Sequence, residues 1–231
     1  MMLFPSCADL LRATRVSTTI QALQSEAPQI PSLMKEKTIL KLKLNTDPRW
    51  VDIASKNIVD ILVDHAYCEQ KAASTGISLI IKYPEKTRLV EELTGLVAEE
   101  WEHFTRVLQE LRKRGHELGR PRRDEYVVQL MTHVRKGGPR ERQLMDQLLV
   151  SALIEARSCE RFKLLWKHIP DPELSQFYYE LMASEAGHFV SYVDLAKEYC
   201  DPQEVDARLQ ELLKIEGEIV TSLPVRDDRM H

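Results

Sequence analysis

The feature that most constrains this chain is a pair of Glu-x-x-His motifs, one in each half of the sequence. They are Glu100–His103 and Glu185–His188. Residues three apart on a helix lie side by side on one face, so each motif would present a carboxylate and an imidazole together. A further glutamate, Glu69 or Glu155, lies about thirty residues before each motif. Two such halves are typical of a two-metal carboxylate site inside a four-helix bundle, and a mixed Glu/His set suits iron or manganese.

Composition supports an all-α protein. The chain has 231 residues, is 43% hydrophobic and contains only eight glycines, so it can bury a sizeable core in one domain. No apolar run approaches the ~20 residues of a membrane span, and we expect no membrane association and a cytoplasmic location. The four cysteines form no C-x-x-C pair, which argues against a zinc ribbon or an iron–sulfur site and fits a reducing compartment.

Helical periodicity predicts two antiparallel helix hairpins joined by a long crossover, which is the ferritin-like connectivity. The four long helices are predicted over 46–82, 85–114, 140–168 and 172–199. A short helix over 124–136 lies in the crossover, and an additional C-terminal helix spans 202–222. The predicted ferritin-like domain is therefore 46–222, preceded by a loosely structured extension over 1–45 and followed by a charged tail over 223–231.

The ligand from the third long helix has two candidates. Residues that meet across a hairpin lie equally far from its turn, and Glu155 and Glu185 straddle the turn at Pro170 in this way. Glu160 would lie about 7 Å off that level at a rise of ~1.5 Å per residue. However, the dipeptide Cys159-Glu160 resembles Cys68-Glu69, and aligning the two halves on these dipeptides selects Glu160. Hairpin geometry favours Glu155, and Glu160 stays an alternative.

The candidate ligands all fall on otherwise apolar helix faces. Several buried carboxylates without compensation would cost many kcal/mol, whereas two divalent cations would neutralise them. His65 lies on the same face, but no glutamate precedes it by three residues. We interpret it as a residue behind the ligands, or as an alternative ligand.

Four segments resemble the tRNA 2-methylthio-N6-isopentenyladenosine hydroxylase family. They are DHAYCEQKAA from residue 64, EEWEHF from residue 99, IEARSCERF from residue 154 and ASEAGHF from residue 183. The resemblance implies a ferritin-like di-iron monooxygenase that uses O2 to hydroxylate the isopentenyl group of adenosine 37 in tRNA. It implies the iron ligands Glu69, Glu100, His103, Glu155, Glu185 and His188. Because the chain has no flavin, haem or iron–sulfur signature, a separate reductase must supply electrons.

A basic segment offers a contact for the tRNA anticodon stem-loop. Ten basic and four acidic residues leave it at +6, although the whole chain is at −4. The alternative is a solvated connection with cations at helix ends. The ten are Arg112, Lys113, Arg114, Arg120, Arg122, Arg123, Arg135, Lys136, Arg140 and Arg142.

Other functions remain open from the residues alone. A rubrerythrin-like peroxidase or a di-manganese catalase would use the same four-helix metal site. A storage ferritin or a metal-free helical interaction protein is also compatible with the pattern.

Overall fold

The structure is a computed structural model that describes residues 40–226 and 228–231, and the predictions for residues 1–39 lie outside this part. The described residues form seven helices and no strand. None of these helices is long and apolar enough to cross a membrane. They are α1 (Arg49–Lys56), α2 (Ile58–Lys82), α3 (Thr87–Lys113), α4 (Glu125–Met131), α5 (Arg140–His168), α6 (Pro172–Tyr199) and α7 (Pro202–Ser222).

Three helices begin at an aspartate whose side chain accepts hydrogen bonds from the first turn. Asp124 caps α4, Asp171 caps α6 and Asp201 caps α7. A proline follows the cap in α6 and α7, where its missing N–H leaves no helical hydrogen bond unmade. These caps fix the starts of α6 and α7 at the predicted positions.

Helices α2 and α3 form one antiparallel hairpin, and α5 and α6 form the other. At one end of the bundle, Arg88 pairs with Glu198 and the side chain of Arg140 lies 4.8 Å from the ring centre of Tyr83. At the other end, Arg114 pairs with Asp171 across 2.5 Å. The connection between α3 and α5 therefore runs the length of the bundle, as the ferritin-like prediction requires.

The hairpin of α2 and α3 is unusually close at Gly76. A Cβ atom built there would lie 2.5 Å from Cγ2 of Val97, which is well inside van der Waals contact. Only a residue without a side chain allows α2 and α3 to approach this closely. The contact lies two turns from Glu69, so it helps to set the distance between the candidate ligands on the two helices.

Two helices differ from the prediction. The predicted helix over 46–82 is broken at Asn57, whose backbone leaves the helical conformation (φ −121°, ψ 37°) and whose side chain donates to the carbonyl of Ile53. An asparagine side chain competes in this way for backbone groups that would otherwise continue the helix. Helix α4 ends at Met131 rather than at residue 136, before the Gly137-Gly138 turn.

A buried arginine connects the first described residues to the bundle. Arg157 on α5 donates to Glu160 on the same helix, to Glu216 on α7 and to the carbonyl of Leu44. The guanidinium is fully buried, and each carboxylate compensates part of its charge. Helix α7 is thereby fixed against α5, which also holds the candidate ligand Glu155.

The segment predicted as a charged tail packs into the protein at its end. Val225 is exposed, but Arg229 and Met230 are buried. Met230 lies between α2 and α5, on the side of the bundle opposite the contact between α3 and α6.

Candidate metal centre

The bundle brings the six candidate ligands into one buried cluster. Every one of them is at most 5% exposed, although all are charged or ionisable. The first hairpin contributes three of them and the second hairpin the other three. They are Glu69, Glu100, His103, Glu155, Glu185 and His188.

The cluster consists of two overlapping groups, each able to surround one metal ion. Glu69 and His103 belong to the first group, and Glu155 and His188 belong to the second. Glu100 and Glu185 belong to both. Within each group the donor atoms lie within 4.8 Å of one another. Two metal ions that share two carboxylates fit this arrangement, and each ion would draw ligands from both hairpins.

The imidazoles face the carboxylates through their Nδ1 atoms. His103 Nδ1 lies 3.4 Å from Glu185 and 3.7 Å from Glu69. His188 Nδ1 lies 2.7 Å from Glu100 and 3.2 Å from Glu185. The ring centres of the two histidines are 5.8 Å apart. Both imidazoles therefore approach the shared carboxylates from the α3–α6 side of the bundle.

Two residues outside the cluster contact and orient its ligands. His65 Nε2 contacts Glu69 Oε1 at 2.5 Å, and its ring packs against Phe162 and Tyr178. Glu99 contacts His188 Nε2 at 3.0 Å. A partner on the outer nitrogen fixes the ring orientation and the tautomer of a metal-binding histidine. The structure thus places His65 beside the cluster, next to one ligand.

Burial and mutual repulsion dominate the protonation of two of the carboxylates. They raise the pKa of Glu100 and of Glu155 well above the ordinary value. Burial also acts to raise the pKa of Glu69, but the charge and hydrogen bonds of His65 and His103 lower it to about 2. The carboxylates Glu185 and Glu69 raise the pKa of His103 to about 10, against the opposing effect of burial. Without cations, protons must balance the charge of this cluster, and metal binding would release them.

Several donor atoms of the cluster lack a protein partner, which fits a role as metal ligands. Both carboxylate oxygens of Glu100, one of Glu185 and Nδ1 of His103 are buried and form no well-aligned hydrogen bond with any described residue, although Glu100 lies 2.7 Å from His188 Nδ1. Buried polar atoms are nearly always paired, so a group of unpaired atoms at one point needs an explanation. Two cations at this point would satisfy all of them.

Glu160 points away from this cluster. It accepts hydrogen bonds from Arg157 and from the backbone N–H of Thr46, both at 2.8 Å, and from the Thr46 hydroxyl. The structure therefore brings Glu155 into the cluster and gives Glu160 a different set of partners.

The chain matches the family model of the tRNA-(ms2io6A)-hydroxylases (MiaE) over residues 33–231. The chain belongs to this family. A relative named tRNA 2-(methylsulfanyl)-N(6)-isopentenyladenosine(37) hydroxylase, from Pseudomonas putida, is 40% identical over 80% of this chain and 89% of its own. A protein of the same name from Salmonella typhimurium is 26% identical over 96% of this chain and 97% of its own.

A solved structure shows the same architecture. It is described as protein 43 with aldehyde deformylating oxygenase activity from Synechococcus, and it matches with a TM-score of 0.79 at 37% identity. The match covers 84% of this chain and 96% of the other. The predicted ferritin-like fold is confirmed, and so is the predicted family. The comparisons favour a hydroxylase of the MiaE family over the peroxidase or catalase alternative.

The basic segment of this family member is largely neutralised by acidic partners. Arg122 pairs with Asp60, Arg135 with Asp146, and Arg142 with Glu204. Among the ten residues, those that form no ion pair with any described residue are Arg112, Arg120 and Lys136. The ten also lie along the whole crossover, because Arg114 and Arg140 are at opposite ends of the bundle. The net charge of the segment therefore overstates its free positive charge.

Sequence reasoning missed two groups of residues at the centre. Glu99 precedes a ligand by one position, and its exposed side chain gave no sign that it would reach His188 on another helix. Met230 and His231 line a cavity beside Glu69 and Glu155, although they lie more than seventy residues from either in sequence. No local pattern could have indicated that contact.

Proposed function

We propose that this chain is an O2-dependent monooxygenase that hydroxylates the isopentenyl side chain of 2-methylthio-N6-isopentenyladenosine at position 37 of tRNA. The proposal rests mainly on the buried cluster of four carboxylates and two histidines in two overlapping groups, in a chain that belongs to the MiaE family. The names of the two relatives supply the substrate.

The proposed cofactor is a pair of iron ions. Glu69 and His103 would hold one ion, Glu155 and His188 the other, and Glu100 and Glu185 would be shared. Bound iron supplies the capacity to reduce O2 and oxidise an unactivated C–H bond. One oxygen atom enters the allylic C–H bond of the substrate and the other leaves as water. The balance requires two electrons and two protons, and we propose that a separate reductase provides the electrons.

The residues around the ligands would hold the site in a fixed geometry. His65 orients the Glu69 carboxylate, and Glu99 orients the His188 ring. Phe162 and Tyr178 pack around His65 and exclude water from that side. These contacts keep the ligand positions defined when substrate approaches.

The substrate would approach through the cavity between α2 and α5. This cavity touches the carboxylates of Glu69, Glu155 and Glu185, and its other walls include Ala72, Ile154 and Phe162. An apolar wall suits an isopentenyl chain, while the carboxylates place the metal site next to it. Of the basic residues, Arg122 and Arg123 lie on the crossover and contact the segment that covers this cavity. We propose that the basic segment on the connection between α3 and α5, here called the basic crossover, contacts the phosphates of the anticodon stem-loop.

Nucleoside analysis of tRNA tests the proposal. Iron-loaded protein, O2 and a reductant should convert the isopentenylated nucleoside to a product with one added oxygen atom. With 18O2, that atom should carry the label. Unmodified tRNA should be unchanged. Formation of formate from an aldehyde, without change in the nucleoside, would instead favour the activity named for the Synechococcus protein.

A further inference from the structure

The cavity beside the metal centre is too small for the proposed substrate in this conformation. Its volume is about 20 Å³, which is room for roughly one water molecule. An isopentenyl group has five carbon atoms and cannot enter without movement of a wall. Helices α2, α5 and α6 line the cavity, and Met230 and His231 form its remaining wall.

Met230 occupies the region that an alkyl chain would have to enter. Its side chain is fully buried beside the candidate ligands, although the residues from 224 to 226 are exposed. A methionine side chain is apolar and flexible, and it is similar in length to an isopentenyl group. It therefore fills the apolar space next to Glu69 and Glu155 that would otherwise be open.

The segment 228–231 is held mainly by polar contacts. The N–H of Met230 donates to Asp64 at 2.8 Å, and its carbonyl accepts from Arg161. The imidazole of His231 lies 3.2 Å from Asp124 and 2.9 Å from the hydroxyl of Ser158. Water can solvate these polar groups once the segment has withdrawn, which offsets part of the loss of the contacts, whereas packed apolar side chains have no such replacement.

Cys68, Asp124 and His231 also bring sulfur, oxygen and nitrogen atoms together. Cys68 Sγ lies 3.8 Å from His231 Nδ1. However, both imidazole nitrogens have protein partners, and the ammonium of Lys71 lies 3.9 Å from Asp124. These residues anchor the segment to α2, α5 and the crossover.

One anchor involves the basic crossover directly. Asp228 lies 3.5 Å from the guanidinium of Arg122, and Arg229 donates to the carbonyl of Arg123. A tRNA phosphate at Arg122 would compete with Asp228 for the same guanidinium. Binding of RNA at the crossover would then weaken the attachment of the segment.

We propose that residues 228–231 form a gate over the cavity, with Met230 in the place of the isopentenyl chain until the segment withdraws. This inference rests on the proposed function. The gate makes the cavity accessible only when tRNA is bound, and it keeps the metal centre covered otherwise.

A reversible disulfide tests the gate. His231→Cys would place a thiol near Cys68, and diamide would oxidise the pair by taking up two electrons and two protons; mass mapping verifies the bond. Iron-loaded protein without reductant is then titrated with two anticodon stem-loops, identical except for the isopentenyl group. The double variant Cys68→Ser/His231→Cys cannot form the bond and serves as the control.

The unlocked protein should prefer the isopentenylated stem-loop by about tenfold or more, because the chain is buried on binding. The locked protein should lose this preference, and dithiothreitol should restore it. An equal preference in both forms would contradict the gate but not the proposed substrate. No preference in the unlocked protein contradicts the proposed substrate and, with it, the gate.

Met230→Ala gives an independent test. The direction in which the affinity for the isopentenylated stem-loop changes separates a gate from a fixed wall. Loss of the buried side chain should destabilise the closed segment and so tighten binding of the isopentenylated stem-loop by about three- to tenfold. A fixed wall would lose contacts with the substrate, and binding would weaken. Val225→Ala, at an exposed apolar residue just before the gate, is the matched control and should leave binding unchanged. Binding by Met230→Ala that is unchanged or weaker overturns the gate.

Discussion

Glu155 and Glu160 lie five residues apart on one helix, yet their surroundings have opposite charge. Glu155 lies among the carboxylates of Glu100 and Glu185, which raise its pKa together with burial. Glu160 instead accepts hydrogen bonds from Arg157 and Thr46. A carboxylate that already has a buried arginine is compensated without a metal, whereas one that repels its neighbours is not.

The two glutamates should therefore respond differently to substitution by glutamine. Glu155→Gln should lose at least one of two iron ions per chain, because a neutral amide is a poor ligand. Glu160→Gln should keep both ions and lower the free energy of unfolding by about 1–3 kcal/mol through the weakened contact with Arg157. Metal analysis and denaturant unfolding measure the two effects. Full iron in Glu155→Gln and loss of iron in Glu160→Gln would reverse the assignment.

The sequence was sufficient to predict which residues converge but not what lies behind them. Glu69, Glu100, Glu155 and Glu185 were predicted from their equal distances to the hairpin turns, because helical rise is constant. Glu99 and Met230 were missed. Each acts across a tertiary contact that depends on how the helices and the final segment pack, and helical periodicity contains no such information.

At the scale of helices, the hairpin of α2 and α3 depends on one close approach. The break at Asn57 in the first long helix was not predicted, but the predicted hairpins formed because their turns and caps are local features. The spacing between α2 and α3, by contrast, is set by a tertiary contact. It depends on Gly76 and Val97, which face each other across the hairpin.

We expect Gly76→Ala to destabilise the protein by about 1–3 kcal/mol, because overpacking outweighs the better helix propensity of alanine. Val97→Ala should remove the clash, so that the double variant is at least as stable as Val97→Ala alone. Thermal or denaturant unfolding measures the cycle.

Gly95→Ala is the matched control on α3. Nothing lies within 4 Å of its added Cβ, and the substitution should stabilise the protein by up to about 1 kcal/mol. If Gly76→Ala were equally stabilising, the approach of α2 and α3 would not be tight.

At the scale of the whole molecule, the buried cluster couples metal binding to stability. The raised pKa of Glu100 and of Glu155 reflects the cost of burying these charges together, and bound cations would remove it. Removal of metal should therefore lower Tm. Ferrous iron at one hundred times its Kd should restore about 2.7 kcal/mol per site.

Differential scanning calorimetry of metal-free and iron-loaded protein checks this prediction. Glu185→Gln removes a carboxylate shared by both groups and should abolish most of the iron-induced increase in Tm. An equal increase in that variant would place the stabilising iron elsewhere.

The distribution of free cations predicts the salt dependence of tRNA binding. Replacing Arg112, Arg120 and Lys136 with glutamine should weaken binding and reduce the slope of log K against log salt by up to about 2, with iron content unchanged. Filter binding over a range of salt concentrations measures the slope.

A variant with Arg88, Arg106 and Lys197 replaced by glutamine loses the same charge from residues that already pair with carboxylates outside the crossover. It should keep the original slope. Equal effects of the two triple variants would mean that overall charge, rather than the crossover, attracts the RNA.

The division of the ligands between the hairpins has a consequence for assembly. Neither hairpin holds a complete set for either ion, since each group takes residues from both. If the chain were cut in the exposed Gly137-Gly138 turn, the two fragments would become separate partners and the metal would be a bridge between them. Fragment association would then follow the concentration of ferrous iron, so that reconstitution from two peptides would report metal occupancy.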